Sequence, residues 1–192
     1  MDHATEEETA ATGRRILVAV DEGDESVHAL KWCLSSFAKR GGGGDGAAPA
    51  DTIILLYVRP PPPTYSVLDA SGYVFSDEVA AAIDGYSREV AEAVVEKAQK
   101  LCTLYCKEVG DGEASHEMKV EVKVAVGDAR NVICQMVDKL GADVLVMGSH
   151  GYGLFKRSLE RSRFQSKKLA LLGSVSDYCV RNANCPVLIV KS

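Results

Sequence analysis

Two elements rich in glycine and hydroxyl residues lie in the last quarter of the chain, and their residue types are those of a phosphate-binding site. An apolar run, 144–147, ends in Gly148-Ser149-His150-Gly151-Tyr152-Gly153, and a second element, Gly173-Ser174-Val175-Ser176, opens a helix-like segment. Glycine lets backbone N–H groups approach an anion closely. A helix N-terminus adds unpaired N–H groups and a positive dipole. Because glycine-rich turns after strands are common in α/β proteins, this spacing indicates anion binding without identifying the anion.

Apolar periodicities predict the elements that must position these residues. Short apolar or alternating segments predict strands over 16–20, 53–58, 118–124, 144–147 and 187–190. Helical spacing of apolar residues predicts helices from 27, over 76–108, over 129–140 and from 174 to about 182. The alternation predicts an α/β protein with a single doubly wound, five-stranded, mainly parallel sheet and helices on both faces. The strict alternation over 118–124 indicates a strand near the sheet edge with one face in water.

Candidate binding residues follow the strands of this predicted sheet. Asp21, Val58, Gly127 and Gly148 all lie where a predicted strand ends. In doubly wound sheets ligands bind beyond the carboxyl ends of the strands, where the strand order reverses. We therefore expect these four residues to converge on one site. Asp21 is expected to accept hydrogen bonds from a ligand hydroxyl, and a role as a helix-approach cap is the alternative.

Length and composition exclude several classes of protein. The 192 residues, 46% hydrophobic and 26% charged, predict one globular domain over 14–192 behind a disordered acidic tail, 1–13, with a flexible glycine-rich loop over 41–50. A net charge of -5 disfavours nucleic-acid binding. No run approaches the roughly 20 apolar residues of a membrane span. The N-terminus resembles neither a secretion signal nor a transit peptide, which predicts a cytoplasmic or nuclear protein.

The six cysteines predict packing residues rather than a metal site. No CxxC pair occurs, and only four histidines are present to assist. Cys102 and Cys106 would share one helix face, so a metal or redox pair is the alternative there. We expect no metal ligands and mostly buried, reduced thiols.

Four segments, in matching order, resemble the universal stress protein family (UspA-like), and its plant single-domain members in particular. They are Ile16–Asp21, Val126–Asp128, Asp143–Gly151, and Gly173–Cys179 with Cys185–Val190, so the resemblance covers about 14–191. It implies a Rossmann-like fold of the adenine nucleotide alpha hydrolase type. It also implies an adenine nucleotide, ATP or AMP, as cofactor, with any Mg²⁺ held by phosphate oxygens and water.

The resemblance assigns roles by position. Asp21 and Val58, with Ala19 and Val20, would meet the adenine or ribose end. Gly127, Met147, Gly148 and Gly151 would line the ribose and first phosphates, with Gly153 nearby, and Gly173, Ser174, Val175 and Ser176 would hold the outer phosphates. His150 would touch phosphate, and a surface turn histidine is the equally open alternative.

The middle of the phosphate motif departs from the family pattern. In the ATP-binding branch nine residues separate the second and third glycines, whereas here 152–172 number 21, a surplus of 12 that is most simply 158–169. From Lys156 to Lys168 the chain has six basic residues and one acid, a local charge of +5. We expect an outward bulge that weakens binding without abolishing it, because doubling a loop costs only about 0.6 kcal/mol. Separation of the two halves of the motif, or a variant transcript or gene-model error, are the alternatives.

Three functions remain open on the sequence. The first is a nucleotide-binding stress or signalling module. The second is a slow ATPase or autophosphorylating enzyme, against which stands the lack of a P-loop, a nucleophile elbow or a clustered catalytic set, so we expect no catalytic residues. The third is a ligand-free dimeric scaffold. In the first and third, Val187–Val190 would pair across a two-fold axis to form a homodimer.

Overall fold

The strands and helices follow the predicted alternation. The computed structural model describes residues 13–37, 50–62, 77–109, 118–149 and 172–191. Their elements are β1 (Arg15–Ala19), α1 (Asp24–Phe37), β2 (Thr52–Arg59), α2 (Asp77–Val109), β3 (Lys119–Val126), α3 (Ala129–Leu140), β4 (Val144–Gly148), α4 (Ser174–Asn182) and β5 (Val187–Val190). The predictions for residues 1–12, 41–49 and 158–169 lie outside the described residues.

The five strands form one parallel sheet in the order β3-β2-β1-β4-β5. The predicted fold class is therefore confirmed. β1 lies in the centre, with β2 on one side and β4 on the other, so the strand order reverses between β1 and β4. This is the position at which a doubly wound sheet opens a crevice beyond its strand ends.

Apolar strand residues alternate between two cores, one on each face of the sheet. Ile16, Val18, Ile53 and Leu55 pack with α1 and α2 on the first face. On the second face Leu17, Ile54, Leu56 and Leu145 pack with α3 and α4. All eight side chains are at most 1% exposed. Burying each of them stabilises the fold by roughly 1.5–3 kcal/mol, which fixes the ends of the central strands in place.

The two edge strands differ in character. On β3, Val120 and Val122 pack on the first core, while Glu121 faces away from it and forms ion pairs with Arg15, Lys119 and Lys123. The predicted edge position is confirmed. Toward the end of β3 the apolar face is exposed as well, at Val124 and Val126. β5 occupies the opposite edge, and its four residues are apolar.

Candidate functional site

The carboxyl ends of β1 and β4 lie side by side at the point where the strand order reverses. Val18 pairs with Val146, so Ala19 and Met147 follow the last paired residues together. The Val20 N–H group donates to the Leu56 carbonyl at 2.9 Å, which ties this end of β1 to β2. The predicted site residues at the ends of β1 and β4 are therefore brought together by the sheet.

A hydrogen-bonded turn holds Asp21 after β1. Its Oδ1 accepts the Gly23 N–H group at 2.9 Å, and its own N–H group donates to Ser26 Oγ at 3.1 Å. The Ser26 hydroxyl is 3.0 Å from the carbonyl oxygens of both Asp21 and Gly23. The Asp21 carboxylate is thus in contact with the approach to α1, as in the cap alternative, and its contact with a ligand stays a prediction.

Tyr57 and Glu22 add a polar contact beside this turn that the sequence analysis missed. The Tyr57 hydroxyl donates to Glu22 Oε1 at 2.6 Å. Burial, the bond to Glu22 and the nearby carboxylates raise the pKa of Tyr57. Tyr57 lies inside an apolar strand pattern, and the one sequence signal was a second acid directly after Asp21.

Gly148 ends β4 in a space that no side chain fits. A Cβ built on Gly148 would lie 2.9 Å from the carbonyl carbon and oxygen of Glu25. Those atoms belong to the first turn of α1. The glycine is therefore required because strand and helix backbones meet here, which brings the end of β4 against the start of α1.

The two halves of the predicted phosphate motif are joined through Ser149. Its carbonyl accepts the Gly173 N–H group at 2.8 Å and lies 3.0 Å from the Ser176 hydroxyl. Its own N–H group donates to the Val190 carbonyl at 3.1 Å. Ser149 and Gly173 meet although 23 residues separate them in the sequence. The end of β4 and the start of α4 therefore form one unit.

The first turn of α4 presents backbone donors at this unit. Gly173 is the N-cap, with φ -61° and ψ 157°, and it has no side chain to accept a hydrogen bond. The first backbone bond of the helix runs from the Asp177 N–H group to the Gly173 carbonyl at 2.9 Å. The N–H groups of Ser174, Val175 and Ser176 precede it and have no acceptor within the helix. Together with the helix dipole they can bind an anion.

The predicted hydroxyl donors of α4 lie in different surroundings. Ser174 is exposed, so its hydroxyl can reach a ligand. Ser176 is only 3% exposed, and its hydroxyl bonds the carbonyls of Ser149 and Gly173. A phosphate contact through the Ser176 hydroxyl stays a prediction, and the structure gives that group a role in holding α4 to β4.

Gly127 and Val58 lie at the ends of β3 and β2. Gly127 has a φ of 148°, and a Cβ there would lie 2.7 Å from Val132 Cγ2, so only glycine fits without strain. Its N–H group donates to the Arg59 carbonyl at 3.0 Å. Val58 is half-buried on the α3 and α4 face. His150, Gly151 and Gly153 lie outside the described residues.

Two further findings concern the described residues alone. In these ranges no group of three or more His, Cys, Asp or Glu side chains is placed to hold a metal ion. None of the helices within the same ranges is long and apolar enough to cross a membrane.

The parallel sheet and the reversal of strand order at its centre define a doubly wound α/β protein. The model of the universal stress protein family matches residues 13–191. The chain belongs to that family, as the sequence resemblance predicted.

Curated relatives of this chain carry the same family name. The universal stress protein A-like protein of Arabidopsis thaliana is 30% identical over 128 residues, which cover 65% of this chain and 62% of that protein. Matches to two further Arabidopsis relatives span 65% and 66% of their lengths, so the chain matches less than two thirds of each of the three.

Solved structures share the fold at low identity. An Arabidopsis thaliana universal stress protein family protein with AMP bound is 21% identical, with a TM-score of 0.50 over 93% of this chain and 91% of that one. The Archaeoglobus fulgidus universal stress protein in complex with dAMP is 15% identical, with a TM-score of 0.50 over 95% and 100%.

Proposed function

We propose that this chain binds an adenine nucleotide in the crevice between β1 and β4 and acts as a stress or signalling module without turnover of its own. The observation that carries the proposal is the junction at Ser149. It sets the anion-binding turn of α4 beside the end of β4 through bonds of 2.8 and 3.0 Å. A strand end and a helix start held in this way are suited to a phosphate chain.

The proposed pose runs along the strand ends. The ribose and base lie toward Asp21 and Val58, and the phosphates lie toward the N–H groups of Ser174, Val175 and Ser176. Ser174 adds an exposed hydroxyl donor. Ala19, Val20, Gly127, Met147, His150, Gly151 and Gly153 complete the proposed lining, and any Mg²⁺ is held by phosphate oxygens and water.

Solved relatives support an adenine nucleotide as the ligand class. One was solved with AMP and another with dAMP. Both share the fold of this chain.

The basic surplus over 158–169 is compatible with this proposal. Loop-closure entropy grows slowly with length, so a longer connection opposes the Ser149–Gly173 contact only weakly. The described residues on both sides of the connection keep their hydrogen bonds. We expect the longer chain to weaken nucleotide binding rather than prevent it.

The test is a thermal unfolding series with Mg-ATP and with AMP. A ligand at about 100 times its dissociation constant stabilises a protein by about 2.7 kcal/mol. For a domain of this size that raises Tm by about 5–11 °C. Both the full chain and a form lacking 158–169 should shift, the second at lower nucleotide concentration.

A negative charge introduced in the first turn of α4 tests the position of the site. Ser174→Glu should abolish the nucleotide-dependent shift because the new carboxylate repels phosphate, while the apo protein keeps or gains stability. Thr103→Glu, at an exposed position inside α2, is the matched control and should leave the shift intact. A full shift in Ser174→Glu would refute this placement. A shift confined to the deletion form would favour the ligand-free scaffold.

We also propose that β5 pairs with its copy to form a homodimer. The Val190 and Pro186 carbonyls face β4, so by alternation the backbone groups of Val187 and Ile189 point away from the sheet. Ile189→Pro removes one outward N–H group, whereas Ile189→Ala loses similar packing and keeps that group. Light scattering should find a monomer for the proline form and a dimer for the alanine form. Equal masses would contradict pairing through β5.

A further inference from the structure

Arg130, in the first turn of α3, contacts Asp128 and Tyr178, and Asn131 links these two partners. Its Nε lies 3.3 Å from both carboxylate oxygens of Asp128. Its guanidinium carbon lies 6.0 Å from the centre of the Tyr178 ring. The Tyr178 hydroxyl donates to Asn131 Oδ1 at 2.8 Å, and Asn131 Nδ2 donates to Asp128 Oδ2 at 2.9 Å. The guanidinium therefore has a defined position over α4.

That position adjoins the proposed phosphate site. Tyr178 follows Ser174 by one helical turn, and side chains four residues apart share a helix face with their Cβ atoms about 5–6 Å apart. Arg130 is the second residue of α3 and follows Gly127 by three positions. The guanidinium thus contacts a side chain on the same face of α4 as the exposed Ser174 hydroxyl.

The contacts leave the outer edge of the guanidinium available. Only Nε bonds Asp128, and among the residues that the structure describes no acceptor is found for Nη1 or Nη2. The Arg130–Asp128 pair is about half-exposed, at 51% and 44%, and exposed ion pairs contribute little. Exchanging this carboxylate for a phosphate therefore costs little. Arginine favours such an exchange because its planar fork binds phosphate oxygens in pairs.

We propose that Arg130 binds the outermost phosphate of the nucleotide and makes the site favour a triphosphate over a monophosphate. This inference rests on the proposed nucleotide site. A monophosphate would be held by the first turn of α4 alone, whereas the longer phosphate chain of ATP reaches the guanidinium. Arg130 is then a specificity-determining residue.

The test compares binding of Mg-ATP and AMP by calorimetry in the full chain, in Arg130→Gln and in Arg181→Gln. Arg181 is the matched control, because it lies on α4 and pairs with Asp177 at 3.1 Å but sits in the last turn. Arg130→Gln should weaken ATP binding by about tenfold and AMP binding by less than about twofold. Arg181→Gln should change neither by more than about twofold. Tyr178→Leu, which removes the ring beneath the guanidinium, should weaken ATP binding by a smaller factor than Arg130→Gln.

Other outcomes distinguish a failure of the role of Arg130 from a failure of nucleotide binding as a whole. If the unmodified chain binds ATP and AMP but Arg130→Gln lowers both affinities equally, or lowers neither, the inference about Arg130 is wrong and the nucleotide site stands. Equal effects of Arg130→Gln and Arg181→Gln on ATP would show a general charge effect and would also overturn it. If the unmodified chain binds no nucleotide, the proposed function fails and this inference fails with it.

Discussion

Replacing Gly148 with alanine is expected to destabilise the protein by about 1–3 kcal/mol, as overpacked positions usually do. The added Cβ would lie 2.9 Å from the Glu25 carbonyl carbon and oxygen and 3.0 Å from its Cβ. Backbone atoms cannot rotate away, so the end of β4 and the first turn of α1 must separate. In a domain of this size 1 kcal/mol corresponds to about 2–4 °C, which gives a loss of about 2–12 °C in Tm.

Gly85 provides the matched control within the same chain. It lies exposed inside α2, and a Cβ built there meets no atom within 4 Å. Gly85→Ala should therefore stabilise the protein by about 0.5–1 kcal/mol, because alanine favours a helix more than glycine does. Urea unfolding followed by circular dichroism measures both variants. A Gly148→Ala protein as stable as the original would refute the claim that backbone contact requires this glycine.

Three more predictions concern strain, pH and thiol reactivity. Gly127→Ala should lower the free energy of unfolding, measured in urea, by about 1–3 kcal/mol. Adding Val132→Ala should restore only the part of this loss that is due to the 2.7 Å contact, because the positive φ remains. Full restoration would contradict backbone strain at this position. The hydrogen bond from Arg59 lowers the pKa of Asp84, so its stabilising contribution is present above the unfolded pKa and lost as pH falls through the folded one. Asp84→Asn should therefore be less stable at pH 7 and nearly equal in strong acid, and parallel acid-unfolding curves would count against this. Burial raises the pKa of the thiols of Cys33, Cys102 and Cys179 to about 12, 11 and 12. Iodoacetamide at pH 8, with the products measured by mass spectrometry, should therefore label the exposed Cys106 first. Early labelling of the buried cysteines would contradict the packing.

The helices and strands could be predicted from the sequence because the apolar periodicity of each segment is strong and local. The bounds of α3, α4 and β5 agree with the predicted ones, since each carries a clear apolar period between turn residues. The start of α1 was missed by three residues. Asp24 and Glu25 are acidic residues suited to a first helical turn, but they carry no apolar repeat to reveal it.

The sequence predicted that the candidate site residues lie at the strand ends, but it gave only part of the physical reason. Their contact with a ligand stays a prediction. The reason for Gly148 is contact with Glu25, a residue distant in sequence, and no local pattern reveals such a contact. The bond between Tyr57 and Glu22 likewise exists only once β2 lies beside the turn after β1. Serine hydroxyls also bond nearby backbone readily, which explains the buried position of Ser176.

The contacts of Ser149 with Gly173 and Ser176 also make this protein a candidate scaffold for a genetically encoded sensor. They hold the end of β4 against the start of α4 whatever the length of the chain that connects them. A fluorescent reporter could be spliced between positions 150 and 171 without altering the register of β4 with β5. Occupancy of the proposed nucleotide site would then change the emission of the reporter, and the connection could change in length without changes to either core.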